Sequence, residues 1–197
     1  MKFKAVEEFI LKKLEEKLPE DLFYHGLHHT RDVFGAAIEI AKHEGIETEE
    51  QLRLLKIATL YHDAGFITHY KNHEEAGCDQ VREDLPQFDF SNEEIEVICG
   101  MIMATKIPQT PKNHLEKVIC DADLDYLGRE DFKPIAKTLF DELKIYTKVK
   151  DEKEWNRIQL SFLKNHHYFT EFGRKNREAN KQIHLQEIIK IVESYAD

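Results

Sequence analysis

Residues 55–65 read Leu55-Lys56-Ile57-Ala58-Thr59-Leu60-Tyr61-His62-Asp63-Ala64-Gly65, a nearly unbroken apolar run that ends on two adjacent ionisable side chains. Upstream, Thr48-Glu49-Glu50-Gln51 reads as a capping box that opens a helix, and Leu52 begins its apolar stretch. A helix apolar on nearly all sides is a buried one, so its end delivers His62 and Asp63 to the interior. A buried charge without a partner costs several kcal/mol, about 3 or more even after relaxation. An isolated His-Asp pair that merely caps a helix end would satisfy this by bonding to loop amides. A bound cation would satisfy it as well, and the rest of the chain decides between the two.

Working outward, helical periodicity recurs on both sides. Phe3, Val6, Phe9, Ile10, Leu14 and Leu18 form one stripe, stopped by Pro19. Val33, Ala36, Ala37, Ile40 and Ala41 predict a helix over 29–43 with Gly45 as its terminator. Further helices are expected over 72–85, 91–104 (Ser91 and Glu94 forming a second capping box), 114–127, 131–149, 152–163 and 174–194. Pro86, Pro108, Pro111 and Pro134 fall at the joints, and nothing alternates as a strand. The expected fold is all-α, a single domain over 1–197, since the polar stretch 148–154 is followed at once by renewed helical signal.

The chain has 197 residues and a formal net charge of -10. That charge excludes a nucleic-acid-coating surface, which needs clustered Lys and Arg. Any phosphate contact must be local, from a dication helped by a residue such as Lys71, Lys106 or Arg129. Cys78, Cys99 and Cys120 are scattered and odd in number, so they read as reduced core residues rather than a disulfide framework or a zinc site. The acidic residues Glu7 and Glu8 interrupt any signal-like start, and no run is long enough to span a bilayer. Cytoplasmic residence and no membrane partner are the expectations.

Three places offer metal-type ligands: His29 within Tyr24-His25-Gly26-Leu27-His28-His29-Thr30, the pair His62-Asp63, and Asp121-Ala122-Asp123-Leu124-Asp125. Two imidazoles and two carboxylates brought to one point would hold a divalent cation and leave positions open for water and an anionic substrate. Asp121, Asp123 and Asp125 lie at i, i+2 and i+4, so on a continuous helix Asp121 and Asp125 share a face and Asp123 points away.

In order and approximate spacing, these motifs resemble the His, His-Asp, Asp signature of the HD superfamily of metal-dependent phosphohydrolases. Met103-Ala104-Thr105-Lys106, Cys120 through Gly128, and 162–163 through 178–180 extend the similarity over most of the chain. The resemblance implies an all-helical domain with ligands drawn from separate helices around a central cleft. It implies His29, His62, Asp63 and Asp121 as metal ligands, with Asp125 holding a neighbouring group and Asp123 bonding nearby backbone. Relatives that act on cyclic nucleotides take a proton for the leaving oxygen from a histidine four residues before the ligand His, which makes His25 the candidate general acid and Asp63 the residue that orients or deprotonates water. Lys106 is the candidate for a substrate phosphate, and His28 has no assigned role.

Mixed imidazole and carboxylate ligation without thiolate suits Mn, Fe, Co, Ni, Zn or Mg. His73-Glu74-Glu75-Ala76-Gly77 is similar to a segment that supplies a second metal in some members, but histidines are lacking near Met103, so one cation is expected. The implied activity is hydrolysis of a phosphoester of a nucleotide or related small metabolite. Two rivals are a nucleotide-binding or regulatory module without turnover and a di-iron oxygenase, which would recruit His69 or His73. His114, His166, His167 and His184 have no motif support and read as structural or solvated.

Overall fold

The computed structural model describes residues 2–196, and among these there are helices and turns but no strand. The first six helices are α1 (Lys2–Lys17), α2 (Leu27–His43), α3 (Glu49–Tyr61), α4 (His73–Asp84), α5 (Asn92–Thr105) and α6 (His114–Asp123). Four more follow: α7 (Phe132–Tyr146), α8 (Glu152–Asn165), α9 (Glu171–Asn176) and α10 (Glu178–Glu193). The all-α expectation holds.

Local chemistry sets most boundaries. Thr48 accepts a hydrogen bond from the Gln51 amide at 3.2 Å, and Ser91 and Glu94 complete a reciprocal capping box at the start of α5. Gly45 takes φ +72°, a left-handed conformation that suits glycine, and the Ile46 amide bonds back to the Ala41 carbonyl to close α2. Most boundaries shift by up to three residues, as where α7 ends at Tyr146 rather than 149, and two differ in kind. α6 ends at Asp123 and the chain tightens into a 3₁₀ turn, Asp125–Gly128, rather than running helical to 127. The single helix expected over 174–194 is two helices, α9 and α10, broken at Arg177, whose guanidinium is drawn 2.8 Å from the Asp125 carboxylate.

Two hydrophobic clusters form. The larger is built from α1 to α6, with Ile10, Leu14, Ile40, Leu55, Ile57 and Ile102 almost wholly buried. The smaller gathers Leu127, Phe132, Phe140, Trp155, Leu163 and Leu185 from the 3₁₀ turn, α7, α8 and α10. Tyr24 belongs to the second cluster, although it immediately precedes α2 of the first. α2 packs on α3 and α6, and α3 on α6, so His29 at the first turn of α2, His62 at the end of α3 and Asp123 at the end of α6 converge. No described helix is long and apolar enough to cross a membrane.

Candidate metal centre

The apolar face of α3 carries Leu55, Ile57, Ala58, Leu60 and Tyr61 into the core, and His62 follows as the residue after its last turn. His62 is 1% exposed. Its Nδ1 lies 2.7 Å from the Thr59 carbonyl, which can only accept, so Nδ1 carries a proton and Nε2 is the nitrogen that faces inward. A backbone carbonyl holding one ring nitrogen is the arrangement that fixes tautomer and orientation in metal-binding histidines.

Around that nitrogen the donors crowd. His29 Nε2 lies 3.4 Å from His62 Nε2 and 3.1 Å from Asp123 Oδ1, and His62 Nε2 lies 3.7 Å from the same Asp123 oxygen. Asp63 Oδ2 flanks both imidazoles, at 3.2 Å from His62 Nε2 and 3.5 Å from His29 Nε2. Donors about 2.0–2.2 Å from a shared ion stand roughly 3–3.5 Å apart, so these separations match the edges of a coordination shell. Asp63 Oδ2 is buried without a hydrogen-bond partner, which a cation would supply. Buried imidazoles and carboxylates without thiolate therefore fit a divalent cation.

Electrostatics agree with a compact cluster of mutually balancing charges. Burial alone would lower the His62 imidazole, but the neighbouring Asp63 carboxylate outweighs it and raises it to about 9. Burial alone would raise the Asp63 carboxyl, yet the charges of His62, His25 and His29 hold it well below the usual carboxylate range. Without a cation the charge of Asp63 is met by the proton that His62 holds. A cation binding there would displace that proton.

The second carboxylate at the imidazoles is that of Asp123, where the sequence points to Asp121. The structure brings Asp123, not Asp121, to the imidazoles: His29, His62 and Asp123 offer atoms all within 4.8 Å of one another. Asp121 is fully buried and already engaged, accepting from the Phe169 amide at 2.9 Å, the Thr170 amide at 2.8 Å and the Thr170 hydroxyl at 2.6 Å. It ties α6 to Thr170, the residue that caps α9. Because α6 stops at Asp123, the three aspartates do not share one continuous helix, and the face expected of Asp121 and Asp125 does not form. Asp125 does hold a neighbouring group, through Arg177 at 2.8 Å and Arg129 at 3.6 Å.

His25 stands beside the cluster and is oriented by a residue the sequence reading missed. Glu142 on α7 is fully buried and accepts from the Tyr24 amide at 2.8 Å, the His25 amide at 3.0 Å, the Tyr70 hydroxyl at 3.1 Å and the His25 Nδ1. Burial would lower the His25 imidazole, but the Glu142 hydrogen bond and the charges of Asp63, Glu142 and Asp123 raise it above the ordinary histidine value. Opposite effects act on Glu142, where burial is outweighed by His25 and the carboxyl is lowered. One signal in the sequence marks Glu142: Ile135, Leu139, Glu142 and Tyr146 lie on one helical stripe at i, i+4, i+7 and i+11, an acid among apolar neighbours.

His73, at the start of α4, approaches from the far side, with Nε2 3.6 Å from Asp63 Oδ1 and 3.4 Å from Glu74 Oε1. Gly65 permits this approach, since a Cβ there would sit 1.8 Å from the His73 carbonyl oxygen. The Phe66 ring lies on both His25 and His73, with centroids 4.3 and 4.0 Å apart. His69 turns away to the Thr68 hydroxyl. Lys106 is not brought to the cluster: it is half-buried, bonds to Glu75 and approaches Asn72 Oδ1 at 3.5 Å.

Residues 26–125 match the HD domain. The chain belongs to the HD domain family. Within that domain fall His29, His62, Asp63 and Asp123, whereas His25 and Glu142 lie outside the matched segment. In fold the chain is similar to a predicted HD superfamily hydrolase from an uncultured Thermotogales bacterium, known from its crystal structure. The two share 22% identity at a TM-score of 0.62, over 95% of this chain and 92% of the other. No curated protein matches the chain.

Proposed function

We propose that this HD domain protein is a metal-dependent phosphohydrolase that works as one domain over 1–197 and cleaves a phosphoester of a small metabolite. The observation that carries the reading is a buried donor cluster of His29, His62, Asp63 and Asp123 opening onto a cavity that His25, oriented by Glu142, also lines. These four residues would hold the cation, with Asp123 in the place first expected of Asp121. A bound cation supplies Lewis acidity and lowers the pKa of water.

The chain's own residues account for the rest. Glu142 accepts from His25 Nδ1, which leaves Nε2 for the cavity and favours the protonated ring. His25 Nε2 then gives its proton to the departing alcohol oxygen. Asp63, held ionised by its histidine neighbours, orients the attacking water and accepts its proton. His73 and Glu74 line the same cavity and extend the polar wall. Phe66 and Tyr70 pack on the His25 side and limit its movement.

The test is elemental analysis of the purified protein together with phosphate release across phosphomonoesters, phosphodiesters and nucleotides. Stoichiometric Mn, Fe, Co, Ni, Zn or Mg with metal-dependent release from at least one class is expected. Stoichiometric metal with no release from any class would refute the reading. Two irons with His73 bound would replace it with an oxygenase, a reading that the 3.6 Å approach of His73 to the second Asp63 oxygen keeps in view.

A further inference from the structure

The cavity beside the donor cluster is about 260 Å³ in volume and chemically divided. Its polar wall is the site just described, with His25, Asp63, His73, Glu74 and Asp123. Its remaining wall is hydrocarbon and aromatic: Leu127, Phe132, Leu139, Leu143 and Leu163, with the indole of Trp155. No Lys or Arg lines it among the described residues. Two further liners, Ile107 at 55% and Ile158 at 39% exposure, stand at its mouth, so the approach from solvent is apolar as well.

Two polar groups within the apolar part are turned to the chain itself. The Thr105 hydroxyl donates to the Ile102 carbonyl at 2.8 Å, and the Gln159 amide nitrogen donates to Asn156 Oδ1 at 3.0 Å. A sugar or a base placed there would surrender its hydrogen bonds to water and find few in return. A polyphosphate would meet the carboxylates of Asp63, Glu74 and Asp123 and no Lys or Arg to balance its added charge. A hydrocarbon or simple aromatic body loses nothing and gains the full benefit of leaving water.

We infer that this cavity holds the apolar body of the substrate, which makes the substrate a phosphoester of an uncharged, apolar alcohol rather than a nucleotide; this rests on the phosphoester reading above. The water oxygen bonds to phosphorus and the bond from phosphorus to the alcohol oxygen breaks. The alcohol oxygen takes the proton held at His25 Nε2, and the proton released by water restores the site, so the products are the alcohol and inorganic phosphate.

Trp155 is the single tryptophan of the chain and lines the cavity, so its fluorescence reports occupancy directly. Titration of the intact protein with non-hydrolysable n-alkyl phosphonates, from ethyl to octyl, should show affinity rising roughly fourfold per added methylene until the cavity is full. The same increment should appear with n-alkanols. Ile158→Lys, at an exposed position that tolerates a charge, should remove most of the increment with an unchanged circular dichroism spectrum, and Ile107→Asp serves as a second such variant at the mouth. A flat series, or adenosine monophosphate displacing octylphosphonate at lower concentration than ethylphosphonate does, overturns the inference. Phosphate release separates the two claims. Equal kcat/KM for ethyl and octyl phosphate with a flat fluorescence series would leave the phosphohydrolase standing and remove the apolar substrate. A graded fluorescence series without release from octyl phosphate would keep the apolar body and remove the phosphoester.

Discussion

Glu142→Gln removes one charge and almost no volume from a carboxylate that is fully buried under four hydrogen bonds. The glutamine oxygen can keep the two bonds from the Tyr24 and His25 amides. Its NH2 group must then face His25 Nδ1 and the Tyr70 hydroxyl, where two donors previously pointed at an anion. Hydrogen bonds to charged groups contribute about 1.5–3 kcal/mol each, and relief from burying the charge offsets part of their loss, so the net cost is about 3 kcal/mol. At about 2–4 °C per kcal/mol for a chain of this size, the midpoint of thermal unfolding should fall by roughly 6–12 °C. His25 loses the partner that raises it, so the basic limb of the pH–rate profile, where the acid must stay protonated, should shift to lower pH. Turnover at neutral pH should fall about tenfold or more, with metal content unchanged. Thermal melts by circular dichroism, metal analysis and a pH–rate profile read all three. A variant that melts within about 1 °C of the parent and keeps its pH profile would refute the assignment of Glu142 as the residue that positions His25.

His166 offers a test of stability against pH. Burial, then the nearby Lys181 charge, lowers its imidazole to about 3, so between about pH 6.5 and 3 the unfolded chain binds a proton that the folded chain refuses. Stability should therefore rise with pH across that window, and His166→Gln should flatten the slope in denaturant titrations; an unchanged slope would contradict the burial argument. Gly65→Ala should destabilise by about 3 kcal/mol or more, because a Cβ 1.8 Å from the His73 carbonyl forces the 3₁₀ turn Ala64–Ile67 away from α4. A melt unchanged from the parent would show that the two segments can part without cost.

The helices were legible because their apolar stripes and caps are local signals. Val6, Ile10 and Leu14 and the Ser91 and Glu94 box settle their elements without reference to the rest of the chain. His29, His62 and Asp63 were legible because ionisable side chains carried inward by apolar helices need a partner there, and a cation serves imidazole and carboxylate together. The choice among Asp121, Asp123 and Asp125 was not, because it depends on where α6 ends and on what the residue-169 and residue-170 amides reach from 48 and 49 positions away. Glu142 stands 117 residues from His25, and only its place on an apolar stripe of α7 hinted at burial. Lys106 had the right charge and the right neighbours in sequence, but Glu75 and Asn72 hold it on the surface.

The central claim is that Asp123, with His29, His62 and Asp63, holds a divalent cation while Asp121 anchors the chain. Metal stoichiometry of Asp123→Ala and Asp121→Asn, measured by elemental analysis on folded protein beside a thermal melt, tests it most directly. Asp123→Ala should lose its metal and melt close to the metal-free parent. Asp121→Asn should melt lower by the cost of weakened bonds to residues 169 and 170, about 2 kcal/mol, and keep its metal. Full metal in Asp123→Ala together with loss from folded Asp121→Asn would contradict the claim.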